Sequence, residues 1–500
     1  MRGKSLMIQG TASNVGKSVL CSALLRIMKQ DGLRCAPFKS QNMALNSCVT
    51  KDGFEMGRAQ YTQAQAAGIE PNVRMNPILL KPTTDCRSQV IVSGRPIGNL
   101  TAFEYHQKRS MLQEIVRKSY TELENGVDCV VIEGAGSPAE INLREGDIAN
   151  MFVAETVDAP VILVGDIDLG GVFASLLGTV MLLTEEERAR VKGVIINKFR
   201  GDIKLLEPGI KMLEDRIHLP VLGVVPWMNV GLEDEDSVST RFDQAQGTGD
   251  LNVRIIKLRH VSNFTDFQSL TLQPGAKVQY AFQPEDIDNA DLVILPGTKN
   301  TMEDLDDLRS RGMDAAILQY VNNGGMLVGI CGGYQMLGQK LFDPKHVEPC
   351  IPEMAGLGLL DMTVTFAEEK QTQQVTGVID CTSGWLSVKN GLTVDGYEIH
   401  AGVNEFGNEA VPWLRVGNKA DGITNAQENV LGSYIHGLFD DGQLFAALSK
   451  RIREIKGMTN ADVKPMPMDE FREHEFDRIA DIVRASVDMD RIYRIIRGDE

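Results

Sequence analysis

No stretch of this sequence reaches the ~18 consecutive apolar residues that a membrane-spanning helix needs. The N-terminus, MRGKSLMIQGT, has one short apolar run and then a Gly-rich loop. It lacks the long apolar region and small-residue cleavage site of a signal peptide. A soluble protein of the cytoplasm, with no membrane partner, is expected. Cys-x-x-Cys pairs and Cys/His clusters are missing as well, although the chain has 8 cysteines. That argues against a structural zinc site and against a disulfide framework. Runs of Lys and Arg are absent, and the net charge is −17. Such a chain repels nucleic acid, so no nucleic-acid partner is expected. Internal repeats and low-complexity tracts are not found.

What is present is length and a large apolar fraction. The 500 residues, 43% of them hydrophobic, are enough for several cores. Short apolar runs at Ser5–Gln9, Asp128–Ile132, Val161–Val164, Gly193–Ile196 and Val221–Val225 alternate with amphipathic stretches at Ser18–Lys29, Phe103–Leu123, Val172–Leu183 and Ile203–Arg216. This alternation predicts a parallel sheet with helices on both faces. Gly231–Asp250 is acidic and polar, as linkers are. Strand-like runs resume at Val253–Leu258, Asp291–Leu295 and Gly325–Ile330. Asp361–Val416 is richer in Thr, Val and Gly and reads as more β-like, and Phe471–Arg497 has helical apolar spacing. The expectation is two α/β domains: an ATPase-like domain over 1–230, a linker over 231–250, a second domain over 251–445, and a helical tail over 446–500.

Two segments carry chemistry. The first runs from the strand Ser5–Gln9 into Gly10-Thr-Ala-Ser-Asn-Val-Gly16-Lys17-Ser18 and then a helix. Backbone N–H groups around Gly10, Thr11 and Gly16 can converge on phosphate. Lys17 would reach the outer phosphates of ATP, and the Ser18 hydroxyl would sit on Mg²⁺. The loop is one residue longer than the usual Walker spacing. Glu133, at the end of the run VVIE, is placed to hold or support the metal. Lys39, just past another strand-like run, is placed to meet phosphate or carboxylate charge.

The second is the strand Met326–Ile330, which runs into Cys331-Gly332-Gly333 and a helix. Glycines beside a nucleophile permit the tight turn that makes it project, and the helix N-terminus favours a thiolate and offers N–H donors to an oxyanion. Gly332 belongs to that turn, and Gly297 in the strand end LPGTKNT is a second donor candidate. A thiol nucleophile wants a His base. His436 follows a strand-like run and His400 lies in Gly396-Tyr-Glu-Ile-His-Ala-Gly402, and spacing does not choose between them.

ICGGYQMLG followed by SYIHGLF resembles the triad-type class I glutamine amidotransferases, whose nucleophile falls on Cys331 and whose base falls on His436. Those domains place an acidic residue two positions after the His. Here Leu438 stands there, as in the corrinoid branch of the family, and no substitute is evident. The GYEIHAG stretch around His400 recurs in that branch and implies a substrate-side or structural role. The N-terminal half resembles dethiobiotin synthetase-like ATPases. APFKSQNMALNS, GRAQ, NPILLKP, SQVIV, IEGAGSPAEINLREGDIAN, VGDIDLGGVFASLLGT and INKFRGD occur in the order found in the cobyric acid synthase family, over nearly the whole chain. One departure is Lys81–Arg87. The resemblance implies ATP- and glutamine-dependent amidation of four side-chain carboxylates (b, d, e and g) of adenosylcobyrinic acid a,c-diamide, with a corrinoid, glutamine and ATP as small-molecule partners and no redox cofactor. It also implies that Asn197 reads the adenine. A homo-oligomer is compatible with it. The alternatives are a cobyrinic acid a,c-diamide synthase and a partitioning-type ATPase. The latter carries a Lys where Thr11 stands and has no reason to carry Cys331 and its glycines.

Overall fold

The structure is a computed structural model, and it describes residues 4–84, 87–232, 241–348, 351–382, 384–458 and 464–500. The chain forms two compact units. Met1–Ala44, Glu55–Glu235 and Arg472–Glu500 make the first; Leu45–Phe54 and Asp236–Phe471 make the second.

In the first unit, six parallel strands among the described residues lie in the order Val221–Pro226, Val191–Phe199, Val161–Asp166, Lys4–Gly10, Cys129–Glu133, Cys35–Phe38. Both faces are buried, which is why the strands read as unbroken apolar runs. Leu6, Ile8, Val131, Ile162 and Val164 face one core, while Met7, Val130, Ile132, Val161 and Leu163 face the other. The helix Lys17–Gln30 covers the first face. The stretch expected as one helix over Phe103–Leu123 is two, Ala102–Gln107 and Arg109–Glu124. Thr101 and Glu104 form a capping box that starts the first at Ala102. A second sheet, Gln41–Met43, Ile78–Thr84, Arg87–Val92 and Arg95–Thr101, escaped the sequence reading because Gln41–Met43 is short and Arg95–Thr101 is largely exposed and polar, so neither reads as an apolar run.

The tail differs from its expected limits. Gln443–Lys456 is a helix of the second unit, with Leu444, Phe445, Leu448 and Ile452 in its core. From Arg472 onward the chain belongs to the first unit. There Phe476, Ile479, Val483, Ile492 and Ile495 complete the core under Leu6, Ile8 and Leu24. Arg26 pairs with Asp477 at 2.7 Å and Arg484 with Asp31 at 2.8 Å. The expected single helix is broken where Val487 bridges to Gly223, and Asp488 caps the second helix, Met489–Arg497.

The second unit has parallel strands Ala276–Ala281, Leu251–Ile256, Leu292–Leu295, Met326–Ile330 and Val430–Ser433. The sheet continues through antiparallel Lys419–Thr424, Val411–Val416 and Met362–Ile379, and Thr393–Phe406 pairs with the last of these. The β-rich character expected of Asp361–Val416 is this antiparallel part. Of the expected linker 231–250, residues 233–240 lie outside the described residues, and Phe242 is buried in the core of the second unit. Among the described residues, no helix is long and apolar enough to cross a membrane.

Candidate active site

The phosphate loop joins Lys4–Gly10 to the helix Lys17–Gln30. Gly16 has φ 96°, and a Cβ there would stand 2.1 Å from Asn197 Nδ2, so only glycine fits. Asn197 lies near the end of Val191–Phe199, two strands over in the same sheet, and donates to Val15 O at 2.8 Å, which fixes the last turn of the loop. Lys17 Nζ donates to Ala12 O at 2.9 Å and Gly136 O at 3.1 Å, so its ammonium is folded over the loop. Gly10 closes the strand, and Thr11 N–H donates to Val164 O at 2.9 Å.

Glu133 is buried at the end of its strand, in the same sheet. One of its oxygens accepts from Ser18 Oγ at 2.9 Å and from Lys39 Nζ at 2.8 Å. Gln63 donates to the other. Lys39 is therefore a buried ion-pair partner, and surface solvation does not explain it. Lys17, Ser18, Lys39, Glu133 and Asn197 lie within this unit, around one loop.

Cys331 stands between Met326–Ile330 and the helix Gly332–Met336 with φ 52° and ψ −110°. For a residue with a side chain this is a strained backbone, as expected of a projecting nucleophile. The turn is held close to the preceding strand end. A Cβ on Gly333 would stand 2.0 Å from Leu295 O, and one on Gly332 would stand 3.0 Å from Thr298 N. Gly297 lies beside both Cys331 and His436: a Cβ there would meet His436 Cε1 at 3.1 Å and Cys331 Cβ at 3.6 Å.

The two histidines have different surroundings. His400 is stacked on Tyr434 with ring centroids 3.6 Å apart, and its Nδ1 lies 2.8 Å from Gly402 O. Burial lowers its pKa to about 4. His436 is fully buried, and its Nδ1 donates to Asp266 Oδ2 at 2.7 Å. Burial alone would lower its pKa, but the charges of Asp266 and Cys331, with hydrogen bonds to both, raise it to about 10. Asn263 Nδ2 stands 3.3 Å from His436 Nε2 and pulls the other way, since it can donate only to a bare nitrogen.

Asp266 is the acid that sequence reasoning did not find. It comes from the turn Phe264–Phe267, 170 positions before His436. Its second oxygen accepts from Gly437 N at 3.0 Å, which locks it against the strand end that carries the histidine. Leu438, where the acid was sought, is buried in the core. The available signal was Ser-Asn-Phe-Thr-Asp-Phe at 262–267, an acid flanked by residues whose side chains bury.

Residues 6–235 match the family described as the CobQ/CobB/MinD/ParA nucleotide binding domain, and residues 252–444 match the CobB/CobQ-like glutamine amidotransferase domain. The "Cobyric acid synthase" of Alkaliphilus metalliredigens (strain QYMF) is 50% identical over 502 residues, covering 99% of this chain and 100% of that one. That of Clostridium acetobutylicum is 50% identical, covering 98% of each. That of Photorhabdus laumondii is 49% identical, covering 99% of this chain and 98% of that one. With a nucleotide-binding half, a glutamine amidotransferase half and this identity from end to end, the chain belongs to the cobyric acid synthase family of glutamine-dependent amidotransferase ligases.

Proposed function

We propose that the protein converts the b, d, e and g side-chain carboxylates of adenosylcobyrinic acid a,c-diamide to carboxamides, giving adenosylcobyric acid, with ATP as activator and glutamine as nitrogen source. The observation that carries this reading is the buried Cys331–His436–Asp266 arrangement, in a chain that also keeps the phosphate loop Gly10–Ser18.

In the amidotransferase unit, the Cys331 thiolate attacks the glutamine carboxamide carbon. Backbone N–H groups at Gly297 and Gly332 meet the oxyanion. His436, whose raised pKa keeps it protonated, gives its proton to the departing ammonia, and water then hydrolyses the glutamyl thioester. In the nucleotide unit, a substrate carboxylate oxygen attacks the γ-phosphorus of ATP and ADP leaves, producing an acyl phosphate. Ammonia adds to the acyl carbon, and inorganic phosphate leaves. Lys17 balances charge on the transferring phosphoryl group, Lys39 fixes Glu133, and Asn197 holds the loop beside the adenine. Ser18 Oγ and Glu133 Oε1, 2.9 Å apart, are hard oxygen donors of the kind Mg²⁺ takes, and these two residues would hold it. When bound, Mg²⁺ neutralises phosphate charge.

The test is incubation with ATP, Mg²⁺, glutamine and the corrinoid diamide, followed by mass spectrometry per amidation. Cys331→Ala should lose glutamine-driven turnover and keep turnover with high ammonia, while Lys17→Ala should lose both. No mass change on the a,c-diamide, together with two amidations of the corrinoid that still carries free a and c carboxylates, would replace this reading with the diamide synthase, and ATP-independent turnover would end it.

A further inference from the structure

Three groups surround the His436 ring, and all three are held by two residues from a distant part of the sequence. Leu45–Phe54 belongs by its contacts to the second unit, although it lies within the range that matches the nucleotide-binding family. Asn46 and Ser47 are buried there. Asn46 Oδ1 accepts from Phe264 N at 3.1 Å. This satisfies the first N–H of the turn Phe264–Phe267, which carries Asp266 and has no cap from its own preceding side chain. Ser47 N donates to Asn263 Oδ1 at 3.1 Å. Ser47 O accepts from Tyr397 Oη at 3.1 Å, and the Tyr397 ring stacks on His436 with centroids 5.1 Å apart.

The second bond determines which way an amide faces. A backbone N–H only donates, so it selects the oxygen end of Asn263. The nitrogen end is thereby turned to His436 Nε2. A donor at Nε2 supports the neutral imidazole with its proton on Nδ1, facing Asp266. Both forms are needed in one turnover: the protonated ring releases ammonia, and the neutral ring takes a proton from the water that cleaves the thioester.

We propose that Asn46 and Ser47 are positioning residues of the glutamine site. They set the orientation and tautomer of His436 through Asp266, Asn263 and Tyr397 without touching glutamine. This rests on the reading of Cys331 and His436 as the reacting pair, and it gives Asn46 and Ser47, the end of the stretch APFKSQNMALNS, a role that the resemblance did not assign. The stretch that supplies Lys39 to the nucleotide site thus supplies, a few residues later, the frame of the thiol site.

The experiment uses full-length Asn46→Ala and, in case that variant folds poorly, Tyr397→Phe, which keeps the stacked ring and removes only the hydroxyl. Three quantities are measured: glutamate release, amidation driven by ammonia, and the pH dependence of Cys331 alkylation by iodoacetamide. The glutamine-driven kcat should fall about two- to tenfold for each lost hydrogen bond, with a smaller change in KM. Ammonia-driven amidation should hold. The alkylation profile should move to lower pH, because either lost bond lets the Ser47 backbone shift off Asn263 Oδ1, and the released amide turns its oxygen to the imidazolium. Wild-type kcat with an unmoved profile overturns the proposal, and so does an equal loss of both routes. Cys331→Ala is run alongside. If it still releases glutamate, the nucleophile reading fails and this inference with it. If it does not, and Asn46→Ala and Tyr397→Phe behave as wild type, this inference alone fails.

Discussion

Replacing Asp266 by Asn keeps the shape of the site and removes its charge. Asp266 makes two contacts, with His436 Nδ1 at 2.7 Å and Gly437 N at 3.0 Å. An asparagine satisfies both only by turning its oxygen to one and its NH₂ to the other. If the oxygen stays on Gly437 N, the NH₂ faces Nδ1 and forces the proton onto Nε2, the wrong tautomer for a base. The corresponding change in the serine-protease triad lowers kcat by about 10⁴, and a loss on the order of 10²–10⁴ is expected here. Charge gives a second consequence. Burial opposes the charged ring, and the shift of His436 from its ordinary 6.5 to about 10 is what Asp266 and Cys331 leave after overcoming it: at 1.36 kcal/mol per pKa unit, a net on the order of 5 kcal/mol. Because the folded-state value is raised, this stabilisation is full below about pH 6.5 and is lost as pH rises towards 10. Wild-type protein should therefore lose denaturant resistance over that interval, and Asp266→Asn should show a flatter dependence. The assays are glutamate release with ammonia-driven amidation as internal reference, and urea midpoints at several pH values. A variant within threefold of wild type in glutamine-driven kcat would refute the reasoning.

Gly333→Ala places a methyl against Leu295 O, so the strand end or the turn must move; circular dichroism melting should show a lower Tm, with glutamine hydrolysis lost before ammonia-driven amidation. Lys39→Met leaves Glu133 buried without its ammonium, and breaking such a pair costs about 3–5 kcal/mol, which a shift in urea midpoint measures. Deleting 472–500 uncovers the core that Phe476, Ile479, Val483, Ile492 and Ile495 complete. At about 1.5–3 kcal/mol per buried side chain, the loss is comparable to the whole stability of a typical domain, and limited proteolysis should digest the first unit.

The parallel strands and both loops were legible because their signals are local. An apolar run buried on two faces, Gly16-Lys17-Ser18 at a helix start and Cys331 between a strand and glycines each depend on neighbours in sequence. Asp266 was not legible because its partner lies 170 residues on, and its own turn is a short 3₁₀ piece without periodicity. Lys39 was legible as a cation placed to meet an anion, but that the anion within reach is the buried carboxylate of Glu133 shows only when the two strand ends come together. The tail was legible as helix, since Phe476, Ile479 and Val483 recur at helical spacing, but an amphipathic pattern does not say which core it joins.

That the last residues of the chain close the first unit has a temporal meaning. Synthesis proceeds at about 5–20 residues per second, so the 236–471 stretch delays arrival of Arg472–Glu500 by roughly 12–47 s. During that interval Leu6, Ile8 and Leu24 lack the covering helices they have in the finished protein. A nascent first unit therefore presents sticky surface to the cell until Arg472–Glu500 has been made, and a premature stop between residues 236 and 471 leaves behind a client for chaperones or proteases instead of an independent ATP-binding fragment.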